Sequence, residues 1–230
     1  MNSDTTLDAI IDEINISLFN EKEFSIDEKK NYAEILMNSR YSEDSQYYGM
    51  FDPTTEVFDN KIRLFTGENI NTYLAIRYIL SLEAAKALFL FNKELKEKEI
   101  TDALDLFDRE AKLFCFAADD CNIGECAHSG LVYINYFTIT NPNHGKLDSL
   151  IDNITLSRDD QGGWEGYPFY YTIFILMNSK SHSAKDEIDY ALSFFKTNRR
   201  KLSEDEIYDR RRKSIMNKVL DDTPLTLTWK

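Results

Sequence analysis

Arg158-Asp-Asp-Gln-Gly-Gly-Trp-Glu-Gly-Tyr-Pro-Phe-Tyr-Tyr-Thr172, running straight into Ile173-Phe-Ile-Leu-Met177, is the stretch whose reading decides the fold. It joins the end of one helical pattern (Leu147, Leu150, Ile151, Ile154) to the start of a nearly all-apolar one. Gly162, Gly163 and Gly166 are three of only 8 glycines in the chain. Such clustering lets the backbone take positive φ and lets the Trp164 ring lie against it. Pro168 suits the first turn of the following helix, where its missing N–H costs nothing. The segment therefore predicts two helices folded back on one another through a tryptophan-anchored turn.

On either side the helical period continues. Leu7, Ile10, Ile11, Ile14 and Leu18 predict an amphipathic helix from Thr6 to Phe19. Ser25 with Glu28 forms a capping box that opens a second, through Tyr32, Ile35 and Leu36. The period fades over 41–69, where Tyr47-Tyr-Gly-Met-Phe-Asp-Pro53 and Thr66-Gly-Glu68 read as loop, with a short hairpin expected around Pro53-Thr54-Thr55. From Ile70 two helix types alternate. Ile70–Phe91, Glu125–Ile139 and Tyr167–Met177 are apolar nearly all round, whereas Ile100–Ala118, Lys146–Leu156 and Ala184–Thr197 are amphipathic. A second capping box, Ser203 with Glu206, predicts a charged helix ending near Leu220. An all-round apolar helix must be enclosed, and an amphipathic one covers its neighbours. The alternation predicts an all-α fold in inner and outer layers, and a solenoid of helix hairpins would alternate in the same way.

The totals agree with this reading. The 230 residues fit a single helical domain: acidic helices in 1–40, a long loop in 41–69 and a hairpin body in 70–220. With 8 Gly and 4 Pro, a many-turned β architecture is disfavoured. Residues 1–60 hold 14 acidic against 4 basic side chains, a balance of −10 within the chain's −13. That charge excludes nucleic acid as a partner. Arg77, Glu83 and Lys86 interrupt the longest apolar run, so a buried helix is expected there and no transmembrane segment. Three cysteines and no signal-like leader predict a reducing, cytoplasmic setting.

Gln161-Gly-Gly-Trp164 followed by Tyr170-Tyr-Thr172 at a helix head resembles the repeat of the terpenoid cyclase and protein prenyltransferase superfamily, the prenyltransferase and squalene oxidase-type repeat. The likeness runs from about Glu83 to Thr197. It implies an α/α toroid, closed or partial, of inner and outer helices enclosing an apolar, isoprenoid-like ligand. Squalene-cyclising members protonate their substrate with an Asp-x-Asp-Asp motif. Asp119 and Asp120, and again Asp159 and Asp160, match its last two positions and are the candidate catalytic carboxylates. Ala117 and Ser157 stand where the first carboxylate would be. Prenyltransferases hold zinc with Asp-x-Cys and a distant His, and Asp119-Asp120-Cys121 fits the first part. Tyr171 occupies the position of the family's His.

Three further groupings carry chemistry. Cys121, Cys126 and His128 supply ligand types for tetrahedral zinc, with small buried cysteines and a hydrogen-bonded histidine as the alternative. Tyr133, Tyr136, Trp164, Tyr167, Tyr170 and Tyr171 are candidate walls of an aromatic ligand pocket, or a filled core. In the basic cluster Arg199-Arg-Lys201 and Arg210-Arg-Arg-Lys213, Arg210 and Lys213 with Arg199 either clamp a diphosphate or other anion, or the cluster pairs with Glu204, Asp205, Glu206 and Asp209 or with the acidic N-terminal segment. No cofactor is specified. The functions in view are a toroid enzyme, or degenerate relative, with an apolar small-molecule ligand, a helical scaffold for a protein partner, and a zinc-dependent thiol- or peptide-modifying enzyme.

Overall fold

The computed structural model describes residues 6–53, 62–117, 124–141, 146–195, 202 and 206–221. Among them the chain is all-helical: α1 (Leu7–Phe19), α2 (Ile26–Asn38), α3 (Tyr73–Leu95), α4 (Lys98–Ala111), α5 (Glu125–Thr140), α6 (Lys146–Thr155), α7 (Phe169–Met177), α8 (His182–Phe195) and α9 (Ile207–Leu220). Extended pairing among the described residues is limited to isolated bridges. They fall into two compact units, Met1–Ile62 with Ile70–Ala118, and Arg63–Asn69 with Asp119–Lys230.

In the first unit α3 is the core, buried on nearly every face, with α1, α2 and α4 packed against it. Its interior charges are satisfied locally. Lys86 and Glu83 form a buried ion pair, and both bond to Asn15 of α1: Nδ2 donates to Glu83 at 2.9 Å, and Oδ1 accepts from Lys86 at 2.9 Å. The Arg77 guanidinium lies 3.6 Å from the Tyr47 ring centre and 4.4 Å from that of Tyr73, and its Nε donates to the Tyr41 hydroxyl at 2.9 Å. No helix among the described residues is long and apolar enough to cross a membrane.

The helix ends differ from expectation where side chains decide them. α3 starts at Tyr73 rather than Ile70 because Thr72 caps it, its hydroxyl accepting from the Ala75 N–H at 3.3 Å. α4 ends at Ala111, and a short 3-10 turn at Cys115–Ala117 follows. That break places the Phe114 and Phe116 rings 4.8 and 4.9 Å from the ring of Tyr78. The described part of the 41–69 loop is largely packed. Met50 and Phe51 are buried, and the Ser81 hydroxyl accepts from the Phe51 N–H at 3.1 Å. The hairpin expected around Pro53-Thr54-Thr55 falls mostly outside the described residues. The second capping box is not formed as expected. Glu206 is itself the N-cap of α9, in extended conformation, and Ser203 lies outside the described residues. The first is formed in full: the Ser25 hydroxyl accepts from the Glu28 N–H at 3.2 Å, and the Glu28 carboxylate from the Ser25 N–H at 2.8 Å. Ser25→Ala should lower stability by about 1 kcal/mol and Ser25→Gly by a few tenths. Denaturant unfolding measures both, and no measurable loss in Ser25→Ala would show that the hydroxyl does not act as the cap.

In the second unit α5 packs against α6 and α7, α8 covers α6 and α7, and α9 closes on α7. α5 and α7 are buried nearly all round, while α6 turns one apolar face (Leu147, Leu150, Ile151, Ile154) inward. The apolar and amphipathic helix types therefore alternate as their composition requires.

Candidate functional site

The turn between α6 and α7 is a closed loop. Glu165 N–H donates to the Ser157 carbonyl at 2.6 Å, Asp159 N–H to Gly163 at 3.1 Å, and Tyr167 N–H to Trp164 at 3.1 Å. Gly162 and Gly166 take φ of +91° and +81°, in the region that favours glycine. It is Phe194 of α8, not Trp164, that lies on the Gly162 backbone, where an added Cβ would collide with it. Trp164 is instead buried with its ring 6.1 Å from those of Phe169 and Tyr190.

The indole N–H explains that position. Trp164 Nε1 donates at 2.7 Å to Oε2 of Glu187, a carboxylate only 1% exposed. The same oxygen accepts from Arg158 Nε at 3.1 Å; Oε1 accepts from Arg158 at 2.7 Å and from the Thr155 hydroxyl at 2.6 Å. The Arg158 guanidinium also lies 4.3 Å from the Tyr190 ring centre. Burial pushes the Glu187 carboxyl up. The bonds from Arg158, Thr155 and Trp164, with the Arg158 charge, outweigh it and hold Glu187 below its ordinary value. Each of its oxygens accepts two hydrogen bonds, so this buried cluster is a clasp joining α6, the turn and α8. Sequence reading missed Glu187, although an acid between Ala184 and Ala191 on the inward stripe of α8 was a usable signal.

The candidate catalytic carboxylates divide. Asp119 and Asp120 lie outside the described residues. Asp159 Oδ1 accepts from the N–H groups of Gln161 and Gly163, each at 2.8 Å, and from the Tyr190 hydroxyl at 3.4 Å. It organises the turn. Asp160 is exposed, with φ of +57°.

The candidate aromatic wall is mostly shielded from solvent. Tyr133, Tyr136, Trp164, Tyr170 and Tyr171 are all under 10% exposed, and Tyr167 is half-buried. The Tyr133 ring centre lies 5.8 Å from that of Phe137, and that of Tyr171 lies 5.9 Å from that of Phe174. Of the candidate zinc ligands, Cys121 lies outside the described residues. Cys126 and His128 stand two apart in α5, a spacing that points side chains to different sides of a helix. His128 Nδ1 is buried with no hydrogen-bond partner among the described residues. Burial pushes its pKa down, against the charges of Glu125 and Glu68. No group of three His, Cys, Asp or Glu among the described residues is placed to hold a metal ion.

The described part of the C-terminal basic run is engaged. Arg211 donates to the Phe65 carbonyl at 3.0 Å, and Arg212 pairs with Asp209 at 3.0 Å and Glu68 at 3.3 Å. Arg210 and Lys213 also have partners, and Arg199 lies outside the described residues.

A surface groove of about 660 Å³ runs along α8 from His182 to Leu192, between the C-terminal ends of α7 and α9. Its floor is Leu176, Met177, Ile188, Leu192 and Val219, and its rim carries Lys180, Lys185 and Lys218 with one acid, Asp189. Lys180 and Lys185 make no side-chain ion pair or hydrogen bond among the described residues. Compared with protein-family models, curated proteins and solved structures, the chain has no match.

Proposed function

We propose that the chain is a ligand-binding helical domain on the α/α-toroid plan of the terpenoid cyclase and protein prenyltransferase superfamily. Its ligand is an isoprenoid-like chain with an anionic head, held in the α7–α8–α9 groove rather than among the aromatics. The observation that carries this is the groove's pairing of an apolar floor with three lysines, in a chain of net charge −13. A volume of about 660 Å³ falls in the range of small-molecule sites. Two lysines without side-chain partners among the described residues leave cationic charge for an anionic head. The helix hairpins closed by the Gln-Gly-Gly-Trp turn support the toroid plan.

A dansyl-labelled isoprenoid diphosphate should bind with micromolar affinity by fluorescence titration. Lys180→Glu with Lys185→Glu should weaken it by about tenfold or more, equivalent to ~1.4 kcal/mol. Ile188→Asp, on the floor, should weaken the neutral isoprenol as well. Binding unchanged by all three substitutions, or none at saturating probe, would remove the groove from the reading.

A second reading, a scaffold for a protein partner, is favoured by one observation: Asp159 and Arg212 are spent on internal bonds. The same groove would then receive an apolar segment of a protein. Failure of every isoprenoid probe together with loss of a protein complex in Ile188→Asp would select it.

A further inference from the structure

We propose that the first unit carries a separate binding site, centred on Arg40, for a short zwitterionic peptide. Arg40 follows the C-terminus of α2 and lines a surface pocket of about 480 Å³. Met37 and Tyr48 share its wall; the opposite wall is one stripe of α4, including Glu99, Ala103 and Leu106.

Arg40 differs from every other described arginine. Arg63, Arg77, Arg109, Arg158, Arg210, Arg211 and Arg212 each have a hydrogen bond, ion pair or comparable interaction. Arg40 makes no side-chain hydrogen bond or ion pair among the described residues, and its Nε is buried without a partner. A buried donor left unmade is costly, and native structures keep few of them. Glu99 likewise makes no ion pair or side-chain hydrogen bond among the described residues, while its neighbour Asp102 is taken by Lys98 at 2.5 Å. A cation and an anion thus stand in the walls of one pocket without bonding to each other. Met37, Ala103 and Leu106 give the same pocket apolar surface.

The matching ligand has a carboxylate, an ammonium and an apolar body. The Arg40 fork takes the carboxylate, which a guanidinium binds with two parallel N–H groups. Glu99 takes the ammonium, and Met37 and Leu106 take an apolar side chain. The volume favours a dipeptide over a single amino acid, since small-molecule sites begin near 300 Å³.

Calorimetry on the full chain with glycyl-leucine tests this directly. The dipeptide should bind, and its C-terminal amide and its N-acetyl form should each bind about tenfold or more weakly, one charged contact being worth a decade or so. Arg40→Met should abolish binding while leaving the melting temperature nearly unchanged, because no internal bond is lost. Arg40→Lys, which keeps the charge without the fork, should bind weakly and serves if the methionine variant fails to fold. The proposal is overturned by no binding at millimolar dipeptide, by equal binding of the amide or acetyl forms, or by wild-type affinity in Arg40→Met or Arg40→Lys.

Discussion

Trp164→Ala should cost about 3–5 kcal/mol of stability, the range for truncating a buried aromatic. Trp164 is 4% exposed, so nearly the whole indole is removed from water on folding. The substitution leaves a cavity beside Phe169 and Tyr190 and takes one of the two donors from Glu187 Oε2. Trp164→Phe weights the two effects differently. It keeps one aromatic ring but loses the N–H and part of the indole, so its cost should be at least about 1–3 kcal/mol, the penalty for a buried acceptor that loses a partner, and less than that of the alanine variant. Urea unfolding followed by circular dichroism gives both values. A loss below about 1 kcal/mol for the alanine variant would place the turn among surface features, where substitutions are nearly neutral.

This result bears on what the sequence could tell. Helix existence was legible because burial leaves a period: Leu147, Leu150, Ile151 and Ile154 point one way, and the structure buries those four in α6. The apolar character of α3, α5 and α7 was legible for the same reason. Helix ends were less so. Thr72 caps α3 through one hydroxyl, and α4 stops early to bring Phe114 and Phe116 onto Tyr78, a contact between residues far apart in the chain. The turn was legible as a turn but not in its partners. Nothing adjacent to Trp164 indicates that its N–H is met by Glu187, 23 residues on. For the same reason Asp159 read as a candidate acid. A carboxylate that accepts from backbone N–H groups two and four residues ahead looks, in sequence, like any other acid before a glycine. The groove was not legible at all: its lysines come from a turn, α8 and α9, and none forms a motif with another.

Glu187→Ala should be at least as damaging as the loss of Trp164, because it takes the acceptor from three donor side chains at once. Arg158, Thr155 and Trp164 would all face an apolar gap, and breaking a buried charge pair from one side costs about 3–5 kcal/mol. Glu187→Gln keeps the shape and one acceptor oxygen but not the charge, and should cost less. The two variants also differ from wild type in their response to acid. The folded-state value of Glu187 lies below that of a glutamate in the unfolded chain, about 4.3. Between those two values the unfolded state holds the extra proton, so stability rises with pH. The contribution of Glu187 is complete above the unfolded value and is lost as pH falls through the folded one. Urea midpoints should therefore drop from neutral pH toward pH 3–4 more steeply in wild type than in Glu187→Gln. Parallel acid limbs would mean that the Glu187 pKa is the same in the folded and unfolded chain, and a wild type that gains on Glu187→Gln toward acid would mean that Glu187 is neutral in the fold. Trp164→Phe combined with Glu187→Gln gives the remaining information. If indole and carboxylate act as one unit, the double variant should lose less than the sum of the singles, by about 0.5 kcal/mol or more. Strict additivity would mean that Arg158 and Thr155 alone hold Glu187, with Trp164 contributing only its buried surface.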